Sequence, residues 1–323
     1  MTRSPARPPS STPLWSFVHV ADMHVGTPRS YRFQPAWNEH WSDARAQILE
    51  LKPDLLLVGG DLTRDGSTHR CELEHIWRDL HELPFPVHVI PGNHEVGNKF
   101  SADSPVAIQE DYVRLYSSVF GPSRWSFVHK GVRFSGCDAF LLGSGLPQET
   151  DLRSWLDEQK GIARERHHVW ILHPALFADR VEETDWNPAT HRVEWYFVLD
   201  GKHRRLLLDV FRATGATHVI TAHIHCRRTI RLAGMEIHYA PATAFPQWAD
   251  RWPDGDAALG FLHFTVSDRG IESRFVPLRH RSTLTGYGPG GNPGLNGRDY
   301  SVAWEHPPID IEENRRPART DHP

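Results

Sequence analysis

Five apolar segments of the chain each run directly into aspartate, asparagine or histidine, and this recurring arrangement limits the possible folds more than any other feature. The segments are WSFVHVAD (15–22), DLLLVGG (54–60), PVHVIPG (86–92), HHVWIL (167–172) and THVITA (217–222). Nearly continuous apolar runs of this length are typical of β-strands that are buried on both faces. Because helical patterns separate them, the chain is predicted to have an α/β fold with a largely parallel sheet.

The segments between and after these strands complete the predicted outline. Helical periodicity is found at 36–51, 68–83, 149–160 and 203–214. Residues 125–138 indicate a hairpin that turns near Lys130-Gly131. The stretch 174–201 has no regular period and is predicted to be a functional loop or lid. Short alternating runs predict antiparallel strands of a second sheet at 227–232, 235–240, 259–266 and 271–277.

The residues that follow the apolar segments are expected to converge, because ligands of α/β sheets bind beyond the carboxyl ends of the strands. Residues two apart in an extended segment point the same way. Asp22 and His24 should therefore face a common point, as should His223 and His225. Each residue alone has an ordinary structural explanation, as a turn former or a packed histidine. Their occurrence together at successive strand ends favours a shared metal site.

This ordered set of motifs resembles the calcineurin-like metallophosphoesterase family, whose pattern is D-x-H, G-D, G-N-H-[DE], a later H, then G-H-x-H. The matching segments are ADMH (21–24), GGD (59–61), GNHE (92–95), His173 in ILHPAL, and AHIH (222–225). The resemblance covers about residues 16–245, and the complete set is far more specific than any single motif. Ala222 stands where the family usually has glycine.

The resemblance implies a four-layer αββα sandwich with two mixed β-sheets, as in metallo-dependent phosphatases. It also implies two metal ions that share the carboxylate of Asp61. The ligands of the first ion would be Asp22, His24, Asp61 and His225. The ligands of the second ion would be Asp61, Asn93, His173 and His223. His94 would be catalytic, lying over the substrate phosphate without binding a metal.

A site of this composition suits phosphoester hydrolysis. Mixed oxygen and nitrogen ligands favour borderline divalent or trivalent ions such as manganese, iron, zinc or cobalt. Two such ions about 3.5–4 Å apart can clamp a phosphate and activate a bridging hydroxide for in-line attack on phosphorus. A histidine side chain has an unperturbed pKa near 6.5, so His94 could protonate the leaving oxygen. The chain is therefore expected to be a metal-dependent phosphoric ester hydrolase.

Several substrates remain open at this point. We slightly favour a small-molecule phosphodiester of the cyclic-nucleotide type. VADMH and GGDLT resemble the cyclic-nucleotide phosphodiesterase branch of the family, but this local similarity does not decide the substrate. The alternative is a phosphomonoesterase or protein serine/threonine phosphatase, because GNHEVGN (92–98) resembles a phosphatase branch. An alternative of another class is a non-catalytic binding protein that has lost its metals. A mononuclear hydrolase would leave Asp61 and Asn93 without a purpose.

Aromatic residues in the 174–201 and 240–256 loops have two explanations. They could stack on an aromatic part of the substrate, or they could pack the loops onto the core, which is the commoner use of tryptophan. The residues concerned are Trp186, Trp195, Phe245, Trp248 and Trp252.

Composition narrows the partners and the compartment. A formal net charge of -4 gives no general attraction to nucleic acid or to an anionic membrane, so neither is expected as a partner. The three cysteines, Cys71, Cys137 and Cys226, are too few and too far apart for a disulfide framework or a cysteine-based zinc motif. A reducing cytoplasm is therefore the expected location. The sequence leaves the oligomeric state open.

Three regions are predicted along the chain. Residues 1–13 are rich in proline, serine and arginine and are expected to be disordered, without the apolar run of a secretory signal. Residues 14–280 are expected to form the metallophosphoesterase domain. Residues 281–323 are rich in glycine, proline and asparagine and are expected to be an irregular tail.

Overall fold

The computed structural model describes residues 14–27, 30, 33–101, 104 and 106–286 of the chain. The predicted disordered start at 1–13 and the tail beyond residue 286 lie outside the described residues. The first part of the predicted tail is described and lies against the first helix, where the Ser282 N–H donates to His40 Nε2 at 2.9 Å. Within the described residues, no helix combines the length and apolar character needed to cross a bilayer.

The described residues form strands and helices in alternation over most of their length. The strands are β1 (Trp15–Val20), β2 (Leu55–Val58), β3 (Val87–Val89), β4 (Arg124–His129), β5 (Val132–Cys137), β6 (His167–Ile171), β7 (His218–Thr221), β8 (Arg228–Leu232), β9 (Met235–Tyr239), β10 (Gly260–Ser267) and β11 (Gly270–Pro277). The helices are α1 (Pro35–Leu51), α2 (Arg70–His81), α3 (Asn93–Val96), α4 (Glu110–Phe120), α5 (Pro147–Lys160), α6 (Arg192–Phe197) and α7 (Gly201–Thr214). A short 3-10 turn covers Ala139–Leu141.

The strands form two mixed sheets. The first sheet has the order β11-β10-β1-β2-β3, in which β1, β2 and β3 are parallel and β10 is antiparallel to β1. The second sheet has the order β4-β5-β6-β7-β9-β8, in which β5, β6, β7 and β9 are parallel. Its two edge strands, β4 and β8, are antiparallel to their neighbours.

The two sheets pack face to face on an apolar core rich in aromatic rings. Phe17 of β1 stacks on Phe264 of β10 at 4.6 Å and meets Phe134 of β5 edge-on at 5.1 Å. Helices α1 and α2 cover the outer face of the first sheet, and α5 and α7 cover that of the second. This arrangement confirms the predicted four-layer αββα sandwich.

The prediction that the last four strands form a separate antiparallel sheet is wrong. The β8–β9 hairpin extends the second sheet, with β9 parallel to β7, whereas the β10–β11 hairpin extends the first sheet beside β1. Alternation of apolar residues shows that one face of a strand is buried, but it does not show which strand lies beside it. Here the burial of Phe264 against Phe17 places β10 beside β1, which would otherwise be an open edge.

Two further elements differ from the sequence prediction. Helix α4 (Glu110–Phe120) was not predicted, although Val113 and Tyr116 bury its apolar side. The stretch 174–201 was predicted to lack regular structure, but it contains the short helix α6. No residue of α6 is buried, which explains why its pattern carries no clear period.

Buried histidines are expected to make the fold sensitive to acid. His168 of β6 is 1% exposed and bonded to the Ser135 hydroxyl at 2.9 Å, and burial lowers its pKa to about 4. The unfolded chain takes up this proton near pH 6.5 but the folded chain does not, so stability falls as the pH drops from about 6.5 towards 4. At pH 5.5 this one histidine should cost about 1.4 kcal/mol of unfolding free energy relative to neutral pH.

The measurement is urea unfolding of metal-free protein at pH 7.5 and 5.5, for the wild type and His168→Gln. The glutamine keeps a polar group beside Ser135 and does not titrate. We expect the loss of stability on acidification to be smaller in the variant by about 1.4 kcal/mol. If the wild type and the variant lost the same unfolding free energy between pH 7.5 and 5.5, His168 would have the same pKa in the folded and unfolded chains.

Candidate metal centre

The carboxyl ends of five strands bring the predicted site residues together. Asp22 and His24 follow β1, Asp61 follows β2, and Asn93 begins α3 just after β3. The remaining histidines follow β6 and β7, at the corresponding edge of the second sheet: His173, His223 and His225. All seven side chains lie in buried positions, with at most 9% of any residue exposed. The structure thus places the predicted ligands in one buried cluster.

The first predicted ligand group is compact. One ligand atom from each of Asp22, His24, Asp61 and His225 lies within 4.8 Å of all the others. His225 Nε2 is 3.2 Å from Asp22 Oδ1, and His24 Nε2 is 3.6 Å from Asp61 Oδ2. Two carboxylates and two imidazoles at these distances offer oxygen and nitrogen donors to a single ion.

The second predicted group shares Asp61 with the first. Ligand atoms of Asp61, His173 and His223 all lie within 4.8 Å of one another. His173 Nε2 is 3.3 Å from Asp61 Oδ2 and 3.8 Å from Asp22 Oδ1. Asp61 is the residue common to both groups, which is the position required of a bridging carboxylate.

Hydrogen bonds fix which ring nitrogen of each histidine faces the cluster. His173 Nδ1 donates to the Gly59 carbonyl at 2.8 Å, and His225 Nδ1 donates to the Phe245 carbonyl at 2.8 Å. A carbonyl only accepts, so the Nε2 lone pair of both rings is directed inward. In His223 the roles are reversed, because Nε2 donates to the Tyr196 carbonyl at 3.1 Å and leaves Nδ1 as the ligand atom.

An orphaned polar atom supports the fit of these residues to a metal ion. Asn93 donates its amide Nδ2 to the Tyr196 hydroxyl at 2.9 Å, while its Oδ1 is buried without a hydrogen-bond partner among the described residues. A buried acceptor of this kind costs about 1–3 kcal/mol unless something binds it. Asn93 belongs to the predicted second group, so an ion there would satisfy this oxygen.

The charge of the cluster favours a cation. Burial opposes protonation of His173, but the carboxylates of Asp61 and Asp22 outweigh it and raise the pKa of this histidine to about 9. Burial, with a contribution from His94, holds the pKa of His24 well below its usual range. One imidazole is thus drawn to the charged form and another is kept neutral. Metal ions would supply the positive charge that the two buried carboxylates attract.

The backbone at the cluster is strained. Five of the seven predicted ligands have positive φ, with values from 48° to 72°: Asp22, His24, Asp61, His223 and His225. The expectation that the D-x-H and H-x-H pairs converge from extended backbone is therefore wrong, although both pairs do converge. Non-glycine residues in this region cost about 1–3 kcal/mol each and concentrate at functional sites.

His94 lies at the mouth of the cluster. Its backbone N–H donates to Asp61 Oδ1 at 3.0 Å, its Nδ1 donates to the Arg64 carbonyl at 2.6 Å, and its Nε2 is 4.0 Å from Asp61 Oδ2. The side chain is 16% exposed, more than any of the predicted ligands. It borders a cavity of about 180 Å³ that is also lined by Asn93, Tyr112 and Tyr196. This position fits the predicted role beside a bound phosphate.

Glu95 is a site residue that the sequence analysis missed. Its Oε1 accepts from the Thr63 N–H at 2.9 Å and the Thr63 hydroxyl at 2.6 Å, and its Oε2 accepts from the Gly92 N–H at 2.8 Å. Glu95 therefore ties the loop that carries Asp61 to the loop that carries Asn93. Burial, together with the charge of Asp61, raises the pKa of Glu95 to about 7. The only signal was its place as the last residue of GNHE.

Tyr196 of α6 is the second residue that was missed. Its hydroxyl accepts from Asn93, and its carbonyl accepts from His223 and from Asn98 Nδ2 at 3.1 Å. The stretch 174–201 was predicted to be functional, but nothing in the sequence distinguished Tyr196 from its aromatic neighbours. Through this residue α6 contacts one predicted ligand from each sheet.

The loop aromatics mostly pack against the protein. Trp252 is 4% exposed and donates its Nε1 to the Ala178 carbonyl, and Phe245 is 7% exposed and packs on His24 and His225. Trp195 lies under the Lys99 ammonium at 4.9 Å. These contacts agree with the packing explanation for the loop aromatics.

The chain is similar in sequence to a known protein family and to several named proteins. The sequence model described as calcineurin-like phosphoesterase matches residues 16–227. Mre11 of Methanocaldococcus jannaschii, a DNA double-strand break repair protein, is 24% identical over 225 residues, covering 63% of this chain and 57% of that protein. Human serine/threonine-protein phosphatase CPPED1 is 30% identical over 191 residues, covering 55% of each. The chain therefore spans little more than half the length of these two relatives.

A third relative is matched over nearly its whole length. The probable cyclic nucleotide phosphodiesterase of Vesicomyosocius okutanii is 21% identical over 263 residues, covering 79% of this chain and 95% of that protein. Among solved structures, purple acid phosphatase PPD1 from yellow lupin seeds has a TM-score of 0.57 at 13% identity, covering 85% of this chain and 53% of that one. A dimetal phosphatase from Danio rerio has a TM-score of 0.50 at 14% identity, covering 83% and 100%. The two structures support the fold alone.

Proposed function

The chain belongs to the calcineurin-like phosphoesterase family, and from that premise we propose that it is a binuclear metal-dependent phosphoesterase acting on a small phosphodiester. Membership confirms the resemblance drawn from the motifs, and it supports the predicted class of metal-dependent phosphoric ester hydrolases. The observation that carries the proposal is the buried cluster in which two groups of ligand atoms share Asp61. A protein that had lost its metals would not be expected to keep every one of these side chains.

The proposed chemistry divides between the ions and the protein. When bound, two borderline ions, of which manganese, iron and zinc are the candidates, supply charge to hold the phosphate and an activated water for in-line attack. Asp61 would hold both ions, and the hydrogen bonds to the Gly59 and Phe245 carbonyls orient His173 and His225. His94, at the mouth of the cluster, would lie beside a bound phosphate and would protonate the leaving oxygen.

A compact diester is the substrate class that we favour. The cavity beside His94 measures about 180 Å³, which is below the roughly 300–1,000 Å³ of pockets that enclose a drug-sized ligand. It therefore suits a phosphate with a small adjoining group, while a second ester arm extends outside. The nearly full-length match to a relative named as a cyclic nucleotide phosphodiesterase supports this choice.

A phosphomonoesterase or protein phosphatase is the second candidate. The human relative, 30% identical over 191 residues, is named as a serine/threonine-protein phosphatase. Two exposed apolar side chains lie on the loop beside the cavity, Phe100 at 52% and Val106 at 45% exposure. A phosphorylated peptide could place its side chain in the cavity and its backbone against these residues.

A substrate panel on metal-reconstituted protein tests the proposal. The protein is stripped with a chelator, loaded with manganese, and offered a chromogenic diester, the matching monoester, cyclic nucleotides, a phosphopeptide and single-stranded DNA. We expect the diester and a cyclic nucleotide to be hydrolysed with higher kcat/KM than the monoester and phosphopeptide. The reverse order would favour the second candidate. No hydrolysis by protein that holds two metals per chain would contradict both.

Tyr196→Phe tests the contact between α6 and the metal centre. The change removes only the hydroxyl that accepts from Asn93, and leaves the carbonyl that accepts from His223. One neutral hydrogen bond is worth about 0.5–1.5 kcal/mol, so we expect kcat/KM to fall by about 2–10-fold. Because Asn93 belongs to the second group, affinity for the ion of that group should fall with it. Tyr112→Phe, in the same cavity, is the matched control, and equal losses in both variants would assign the effect to the cavity wall.

A further inference from the structure

A further group of metal-ligand side chains, separate from the metal centre, lies at the other end of the second sheet. His218 begins β7, whereas the predicted ligand His223 follows the end of that strand. Five residues of extended chain separate the two positions by about 16 Å. His218 pairs directly with Glu236 of β9, and His238 lies two residues further along that strand. These three residues take no part in the proposed phosphoesterase site.

We infer that His218, Glu236 and His238 form a separate binding site for one divalent transition-metal ion, with Zn²⁺ as the best match. One ligand atom from each lies within 4.8 Å of the other two. Glu236 Oε2 is 3.9 Å from His218 Nε2 and 3.8 Å from His238 Nε2, so one carboxylate oxygen faces both rings. Tetrahedral zinc with ligands at about 2.0–2.2 Å requires donors about 3.4 Å apart. The two distances from Glu236 to the rings would shorten by about 0.5 Å, and the two imidazole nitrogens, which lie within 4.8 Å of each other, would approach by up to about 1.4 Å.

An orphaned nitrogen points into this group. His238 is 0% exposed, and its Nε2 is buried without a hydrogen-bond partner among the described residues. Such a nitrogen costs free energy unless a donor, a water or a metal satisfies it. The ring is held between the sheets, where it meets Phe264 edge-on at 5.2 Å. The nitrogen cannot turn to solvent, and Glu236 is the polar side chain that it faces.

The threonines behind the two rings set their orientation. His218 Nδ1 is bonded to the Thr217 hydroxyl at 3.0 Å, and His238 Nδ1 to the Thr229 hydroxyl at 3.2 Å. With each threonine hydroxyl accepting from Nδ1, the ring would present its Nε2 lone pair, the arrangement usual for metal-bound histidine. Burial lowers the pKa of His218 to about 4 and that of His238 to about 3, so both rings are neutral, as metal ligands must be.

The remaining contacts leave a route for an ion. Glu236 accepts from the exposed Arg231 through its other oxygen, Oε1, at 3.0 Å, so Oε2 stays directed at the histidines. A cavity of about 500 Å³ borders the group and is lined by His218 and Glu236 together with His167 and Gly270. An ion can enter from this cavity and complete its coordination with water. Two imidazoles, one carboxylate and an open position are a donor set typical of zinc.

Metal counting on the full chain tests the inference. The wild type and Glu236→Gln are stripped by chelation, dialysed against Zn²⁺, and analysed for zinc per chain. We expect the variant to hold one equivalent fewer than the wild type, or to bind that equivalent at least about tenfold more weakly. Glu272→Gln, an exposed change on β11, is the matched control and should bind zinc like the wild type.

The design keeps this site separate from the phosphoesterase. The test compares zinc per chain between proteins whose phosphoesterase site is unchanged. A difference of one zinc equivalent is therefore informative whatever the phosphoesterase site binds. Manganese-supported hydrolysis should be equal in the wild type and Glu236→Gln. His218→Gln, which removes a different ligand, should lose the same equivalent. Identical zinc binding by the wild type and both variants would overturn the inference.

Discussion

Replacing Asp61 by asparagine is expected to lower phosphoester hydrolysis by about 10³-fold, because charge stabilisation by a metal pair is worth several kcal/mol and each 1.4 kcal/mol is tenfold in rate. Asp61 is the one side chain common to both ligand groups. Asparagine has nearly the same shape but no charge, so it cannot neutralise two neighbouring cations. Their mutual repulsion then weakens the binding of at least one ion.

The measurement combines metal content with rate. We expect Asp61→Asn to hold fewer metals per chain than the wild type after identical loading, and to recover only part of its activity at high manganese concentration. Asp157→Asn is the control, since Asp157 is 73% exposed on α5 and is not a member of the cluster. A variant with two metals and undiminished rate would remove the bridging role and with it the binuclear proposal.

Asp61 also illustrates what the sequence makes predictable. An apolar run followed by glycine and aspartate identifies a buried strand and a polar residue at its carboxyl end. Parallel strands in one layer bring such ends to one edge, so the order of motifs predicts their convergence. Both sheets of the sandwich contribute here, and their shared edge gathers Asp61 of the first sheet with His173 of the second.

The features that were missed depend on contacts between distant segments. Tyr196 acts through its hydroxyl and its carbonyl, and α6 has no buried apolar face to mark it as a helix. Glu95 follows His94 in the sequence, but its two loop partners are visible only in the fold. The left-handed backbone at Asp61 was not predicted either, since short polar side chains are tolerated there without glycine.

Replacing His94 by alanine is expected to lower the rate by about 10²–10⁴-fold, the usual contribution of a positioned general acid. The hydrogen bond between this residue and Asp61 is made by its backbone N–H, which alanine retains. Metal content should therefore stay equal to that of the wild type. This combination separates His94→Ala from Asp61→Asn, in which metals and rate fall together.

The leaving group provides the sharper test of the role of His94. A nitrophenolate departs readily without a proton, whereas an alkoxide needs one as the bond to phosphorus breaks. The loss caused by His94→Ala should therefore be larger for an alkyl ester than for a nitrophenyl ester, because only the alkyl ester depends on the acid. His81→Ala, at the last residue of α2, is the control for removing a histidine outside the cluster. Equal losses on both esters would assign His94 to holding the phosphate, since binding acts on both substrates alike.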